Sequence, residues 1–291
     1  MELPKLFERY REQINSYLER VLPSADTAPV PIYRAMRYSL FAGGKRLRPT
    51  LVLLTCESLG ENPEKLLPVA AAVEMIHTYS LIHDDLPSMD NDDFRRGNPT
   101  NHRVFGEAIA ILAGDALLTA GLRILSEAPY SVDVRCSLIS ALTKAAGTEG
   151  MIGGQVLDIQ AESKVLSRVE LEMIHGMKTA ALIGFCATAP AMVLKKGENV
   201  QQALNQYGEF VGLAFQIIDD VLDVEGTKES LGKTAGKDRT AQKATYPSTL
   251  GMEESKTLAS DLIKTATKSI SPYDPLGYLT DFAQFVLERT K

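Results

Sequence analysis

The chain lacks any C-x-x-C pair, and its three cysteines, Cys56, Cys136 and Cys186, are odd in number and widely spaced. That excludes a disulfide framework and gives no support to a cysteine-ligated zinc site; a reducing, cytoplasmic setting is expected. It also lacks a basic excess: 31 Lys+Arg stand against 37 Asp+Glu over 291 residues, a net charge of −6. A polyanion-binding surface spread over the whole protein is therefore not expected, and nucleic acid is not an expected partner. The opening MELPKLFERYREQ carries charges where a secretory signal needs an apolar run of about 7–15 residues, so no export signal is expected. The longest weakly polar stretch, residues 180–194, contains Thr188 and Pro190. It falls short of the roughly 20 residues that span a bilayer, so it reads as a buried helix kinked or broken at Pro190, and no membrane span is expected. Strict apolar alternation, internal repeats and low-complexity tracts are missing too.

What is present is ordinary globular composition, 45% hydrophobic and 23% charged. Apolar residues recur at helical spacing, as in the stripe Leu6, Tyr10, Ile14, Tyr17 and Leu18 and the later one through Phe282, Phe285 and Val286. Proline and glycine fall between such stretches, as helix stops and turns do. Segments 69–86, 106–125 and 201–224 are apolar on more than one face, which suits helices central to a large bundle. The pattern predicts an all-α chain forming a single domain over residues 1–291. The polar, lysine-rich stretch 225–246 is the one long loop, of a length usually associated with function or mobility.

Two aspartate clusters interrupt this apolar helical pattern. In the second, Gln216, Asp219 and Asp223 fall at i, i+3 and i+7, on one helix face, with Asp220 beside them. Carboxylates that close repel unless a cation lies between them. In the first, Asp84 and Asp85 end a helical run and Asp90 follows after Pro87. An unbroken helix would turn Asp90 away from Asp84, whereas a proline at 87 disfavours helical geometry at Leu86 and lets a loop bring Asp90 back. Paired hard oxygen ligands suit Mg²⁺, which binds through one or two carboxylates together with substrate phosphates. An EF-hand reading of Asp90-Asn91-Asp92-Asp93-Phe94-Arg95 fails, because Arg stands where the loop needs glycine.

Compact basic groups complement these acids: Gly43-Gly44-Lys45-Arg46-Leu47-Arg48, Arg95-Arg96-Gly97, Lys178-Thr179, and the lysines from Lys233 to Lys243. Arg presents a planar fork to phosphate oxygens and Lys a point charge, so the inventory suits two diphosphates better than one carboxylate. Gly226 to Thr234 is a near miss to a nucleotide P-loop, with five residues between the glycines where that motif has four. His77 lies seven residues before Asp84, on roughly the same helix face.

Taken in order and spacing, GGKRLRP at 43–49, EMIHTYSLIHDDLPSMDNDDFRRG at 74–97, GGQVLDI at 153–159, HGMKTAALI at 175–183, FQIIDDVLD at 215–223 and LGKTAGKDRTAQKATYP at 231–247 resemble the trans-isoprenyl diphosphate synthases of the bacterial farnesyl type. The resemblance covers nearly the whole chain. It implies the isoprenoid synthase fold, a helical bundle around a central cavity, and a homodimer. It also implies a trinuclear Mg²⁺ cluster held by Asp84, Asp90 and Asp219, with Asp85, Asp220 and Asp223 in direct or water-mediated support. Arg95, Lys178, Lys233 and Lys243 would cage the allylic diphosphate. Gly44, Lys45, Arg48, His77 and Arg96 would hold isopentenyl diphosphate, with Arg289 closing over it, and Thr179 and Gln216 would line the reacting carbon. Tyr79, five residues and about 7.5 Å down the helix from Asp84, and its neighbour Ser80 would set product length. The implied reaction joins isopentenyl diphosphate to dimethylallyl or geranyl diphosphate, giving a C15 product. A C20 or C10 synthase, a class I terpene cyclase and a non-catalytic partner subunit use some of the same parts.

Overall fold

A computed structural model describes residues 3–162, 164, 166–225 and 245–289. The regular elements among the described residues are helical apart from a short ribbon, β1 (Phe94–Arg95) antiparallel to β2 (Asn98–Pro99). The all-α expectation therefore holds, with a two-residue hairpin too short to show as alternation. Arg96 and Gly97 both take positive φ, 53° and 79°, the conformation a tight two-residue hairpin needs. The chain folds as two compact units, one of Met1–Leu53 with Pro63–Ser131 and one of Leu54–Asn62 with Val132–Lys291.

In the first unit, helices α1 (Leu3–Val21), α2 (Val30–Leu40), the start of α3 (Leu47–Ser58), α4 (Leu67–Asp84), α5 (Asn101–Phe105) and α6 (Glu107–Glu127) pack together. α4 is the core element: Pro68 sits in its first turn, where a missing N–H costs nothing, and its residues are buried on every side. Two glycines let α6 lie close against it. A Cβ on Gly121 would stand 3.2 Å from the Ala72 carbonyl oxygen, and one on Gly114 only 2.1 Å from His83 Nε2.

This core also contains a buried ion pair. Arg46, at φ 53°, donates to Glu74 Oε1 at 2.5 Å, to Asn15 Oδ1 at 3.1 Å and to the Leu40 carbonyl. Both charged side chains are 2% exposed. The second basic residue of the glycine-lysine-arginine group is thus a tie between α1, α2, α4 and the loop before α3.

In the second unit, α7 (Val132–Ala146), α8 (Met151–Ala161), α9 (Arg168–His175), α10 (Ala181–Val193), α11 (Glu198–Glu225), α12 (Tyr246–Leu250), α13 (Met252–Ile270) and α14 (Tyr278–Glu288) pack around α10 and α11. The chain widens into a π-helical turn at Gly176–Ala180 between α9 and α10. α10 does not break at Pro190, a break being one of the two outcomes the sequence suggested. It runs on to Val193 with Leu194 N–H bonded to the Pro190 carbonyl at 2.9 Å. The proline falls in the last turn, where one lost bond is outweighed by burial of Cys186, Ala187, Ala189 and Ala191 around it. Asp274 accepts from the N–H groups of Leu279 and Thr280 and so caps α14, which Tyr207 Oη holds through the Leu279 carbonyl at 2.6 Å.

The expectation about apolar length is also corrected. By length and composition three helical spans could cross a bilayer: Pro63–Asp84, Glu107–Glu127 and Arg168–Val193. Short helical pieces join into longer spans in the fold, and Lys178 no longer divides the third. Their most apolar windows are 72%, 33% and 61% buried, so the first and third serve mainly as core while α6 leaves Ile111 and Leu112 uncovered.

Breaking the buried pair should be costly, because one charge is then left without its partner. Glu74→Ala is expected to lose about 3–5 kcal/mol in urea unfolding, and Arg46→Met with Glu74→Leu to recover most of it. A loss below about 1 kcal/mol for Glu74→Ala would show the pair to be dispensable. A second expectation concerns His175, whose ring is buried and stacks on Tyr246 at 5.4 Å between centroids. Burial, with the nearby Lys178 also opposing protonation and Asp158 favouring it, pushes its pKa down from 6.5 to about 4. The unfolded chain then binds the extra proton first, so the stability from neutral His175 is complete above pH 6.5 and is lost as pH falls toward 4. Relative to His175→Phe, the wild type should lose about 3 kcal/mol more between about pH 7 and pH 4; parallel pH profiles would contradict this.

Candidate active site

α4 ends at Asp84, with the Asp85 N–H bonded to the Leu81 carbonyl at 3.2 Å and Leu86 tightening the last turn onto His83 at 3.1 Å. The chain then folds back past Pro87. Asp90 N–H donates to the Asp84 carbonyl at 2.8 Å and Asp92 N–H to that of Asp85 at 3.2 Å. The loop predicted from Pro87 is therefore formed, and it brings Asp90 beside Asp84. Asp85 is buried and taken up by Arg95, whose Nε lies 2.7 and 2.8 Å from its two oxygens and whose Nη2 is 2.6 Å from Oδ1. Arg95, expected on a diphosphate, is thus also the group that neutralises Asp85, with Asp92 3.9 Å away. Asp92 is a member of this network that sequence reasoning passed over as part of a failed EF-hand pattern.

Within the same unit the basic residues converge. The tight hairpin carries Arg96 to the glycine pair: its Nη1 donates to the Gly43 carbonyl, and a Cβ on Gly44 would stand 2.5 Å from its guanidinium carbon. Gly44, at φ 113°, is thus required both by its backbone and by Arg96. Arg48 Nη1 lies 3.4 Å from His77 Nε2; an arginine only donates, so that ring nitrogen is the acceptor and His77 is neutral. Its pKa is held well below the usual histidine value by burial first and then by Arg48, Arg96, Arg95 and Arg46. Of these arginines Arg46 is paired with Glu74 and Arg95 with Asp85, so Arg48 and Arg96 contribute most of the positive potential around the neutral imidazole. Lys45 is exposed beside it.

Further down α4, Tyr79 is 4% exposed and its ring meets that of His83 edge-on, at 5.8 Å and 78°. Its pKa is pushed up to about 12 by burial and by Asp84. Ser80 turns its hydroxyl back to the His77 carbonyl at 2.9 Å.

In the second unit the π-turn carries Lys178 and Thr179, and two glycines set its position. A Cβ on Gly154 of α8 would fall 2.3 Å from Lys178 N, and one on Gly212 of α11 would fall 2.6 Å from Ala180 Cα. One helical turn past each glycine comes its polar partner. Asp158 pairs with Lys178 Nζ at 2.6 Å, and Gln216 Oε1 accepts from Thr179 Oγ1 at 3.1 Å. Single-turn π-bulges recur at functional sites, where they re-aim side chains. Asp158 was missed in the sequence; its signal is its place four residues after Gly154 in GGQVLDI.

On α11 the aspartates divide by environment. Asp220 is buried and accepts from Gln216 Nε2 at 2.9 Å and from Tyr246 N–H at 3.0 Å, which ties it to the start of α12. Asp219, with its side chain 44% exposed, pairs with Arg289 Nη2 at 2.7 Å, and the Arg289 guanidinium lies over the Phe215 ring at 3.7 Å. Asp223 is exposed. Arg289 thus meets an aspartate of the second cluster. Lys233 and Lys243, and the near P-loop, lie outside the described residues.

Among the described residues no group of three His, Cys, Asp or Glu side chains stands ready to hold a metal on its own. The donor set nevertheless fits Mg²⁺, which takes one or two carboxylates and completes its shell with phosphate and water. Asp84 and Asp90 supply such a pair at one helix end. Asp219 already accepts a cationic group.

The sequence profile described as Polyprenyl synthetase matches residues 29–273. The chain is 47% identical over 261 residues to a farnesyl diphosphate synthase of Bacillus subtilis, covering 89% of this chain and 86% of that one. It is 45% identical over 287 residues to a geranylgeranyl diphosphate synthase of Cyanophora paradoxa, covering 96% and 95%. Among solved structures, an FPP/GFPP synthase from Zymomonas mobilis in its apo form superposes with a TM-score of 0.88 at 38% identity, covering 98% of each chain. With a profile match over most of its length and relatives this similar, the chain belongs to the polyprenyl synthetase family.

Proposed function

We propose that this enzyme joins isopentenyl diphosphate to dimethylallyl and then geranyl diphosphate, forming farnesyl diphosphate and releasing diphosphate and a proton at each step. The reading is supported by the end of α4, where the loop returns Asp90 to Asp84, and by the arginines gathered near His77 on the same helix. Arg48, His77 and Arg96, with Gly44 and Lys45 beside them, would bind isopentenyl diphosphate. Arg95, Lys178, Lys233 and Lys243 would bind the allylic diphosphate. Asp84, Asp85, Asp90, Asp219, Asp220 and Asp223 would hold Mg²⁺, Asp85 and Asp220 chiefly by orienting their neighbours. When bound, the metal supplies Lewis-acid charge that favours departure of the diphosphate. Lys178 adds fixed positive charge to the leaving group, and the polar pair Thr179–Gln216 offers oxygens to the developing allylic cation. Holding both substrates in attack geometry is the remaining task of the basic residues.

A terpene cyclase has no need of a second diphosphate site, so the His77 cluster favours the condensing enzyme over it. A non-catalytic subunit would not need both aspartate motifs. A C20 product is the second reading, favoured by the comparable identity to a geranylgeranyl diphosphate synthase; the buried ring of Tyr79 favours C15. We further propose that residues 1–291 act as one domain, on the strength of a family match that runs through both compact units. The free cysteines are consistent with a cytoplasmic enzyme. A homodimer would use the apolar surface of α6 that Ile111 and Leu112 leave exposed.

Asp84→Ala and Asp219→Ala should each lower kcat by about two to three orders of magnitude, the scale of losing a charge-stabilising group, with melting temperatures close to wild type. Chelation of Mg²⁺ should abolish turnover reversibly. Near-normal rates in either variant would count against the metal assignment. Tyr79→Ala should yield C20 and longer products from the same substrates, measured by chromatography of the dephosphorylated alcohols. An unchanged C15 product would remove Tyr79 as the floor of the tail site.

A further inference from the structure

The Tyr79 hydroxyl is buried with no hydrogen-bond partner among the described residues. No polar contact there fixes the orientation of this ring; packing does. The ring contact made to it is the edge-on one from His83, one helical turn along α4. His83 is itself held. Its Nε2 lies 3.0 Å from the Ile111 carbonyl, with Asp115 at 3.9 Å, and its ring fills the notch that Gly114 leaves in α6, where a Cβ would stand 2.1 Å from Nε2 and 2.5 Å from Cδ2. The path from α6 to Tyr79 thus consists of one missing methyl, one hydrogen bond and one ring edge.

We infer that His83, seated in the Gly114 notch of α6, is a positioning residue for product length: it braces Tyr79 from the side, so that the floor beneath the prenyl tail stays closed. The inference rests on the reading of Tyr79 as that floor. With the brace removed, the Tyr79 ring can turn toward α6, and a fraction of C15 product is extended once more before release. An edge-to-face ring contact is worth about 0.5–1.5 kcal/mol, which converts to about a two- to tenfold change in the ratio of floor-closed to floor-open states.

The test is the C20:C15 ratio formed by purified enzyme from geranyl diphosphate, labelled isopentenyl diphosphate and Mg²⁺, with enough protein in each assay to consume a fixed amount of label. A ratio does not depend on how fast a variant turns over, so a slowed enzyme remains readable. His83→Ala is expected to raise the ratio about two- to tenfold. Gly114→Ala, whose new methyl drives the imidazole out of its notch from the other helix, is expected to raise it in the same direction. His83→Phe, which keeps a ring edge against Tyr79, is expected to stay near the wild-type ratio. If Tyr79→Ala lengthens the product while His83→Ala and Gly114→Ala leave the ratio unchanged, His83 is not the brace and the inference falls alone. A His83→Phe ratio as high as that of His83→Ala also overturns it. If Tyr79→Ala changes nothing, the floor assignment falls and this inference with it.

Discussion

Carboxylates placed on apolar helices must be met by positive charge or by hydrogen-bond donors, and each unit meets that requirement in its own way. In the first unit Asp85 is buried against Arg95, while Asp84 and Asp90 are gathered at the helix end by the returning loop. In the second, Asp220 commits both oxygens to protein N–H donors, and Asp219, the more exposed of the adjacent pair, meets Arg289. The same division appears twice: one aspartate is buried and held by protein donors, and its neighbour is left more exposed. An adjacent Asp-Asp pair on a helix supplies that division automatically, because successive side chains point about 100° apart.

Several of these side chains and backbone segments are positioned by the smallest residue. Gly44 leaves room for Arg96, Gly154 for the backbone at Lys178, Gly212 for Ala180 beside Thr179, and Gly114 for His83. In each case a methyl group would collide at 2.6 Å or less, and in each case the neighbour admitted is a site residue or adjoins one. Close helix contact is thus used to bring polar groups to fixed points. The π-turn does the same by local geometry, opening the helix where Lys178 and Thr179 must project.

The fold class and the loop at Pro87 were legible because each follows from local rules: apolar spacing for helices, and the steric effect of proline on the residue before it. Spacing placed Gln216 on one face with Asp219, whereas the hydrogen bond Gln216 makes is to Asp220, four residues on. Other features depend on partners distant in sequence. Nothing local distinguishes Arg46, which is locked to Glu74, from Arg48, which faces His77. Asp158 declares itself only once Gly154 is seen against Lys178. The π-turn leaves no mark in the apolar pattern, and Pro190 misleads because its effect depends on how near it lies to the helix end. The arginine-glycine hairpin is too short to register as a strand pair, although its two positive-φ residues set the direction of Arg96.

The central claim is that both aspartate motifs bind divalent cations that carry a diphosphate. Its most direct test is a crystal of the enzyme soaked with Mn²⁺ and inorganic diphosphate, with the ions located by anomalous scattering. The account predicts Mn²⁺ within coordination distance of Asp84 and Asp90 and of Asp219, with Arg289 displaced from that carboxylate. Well-occupied Mn²⁺ elsewhere, with both motifs bare and the Asp219–Arg289 pair intact, would contradict it.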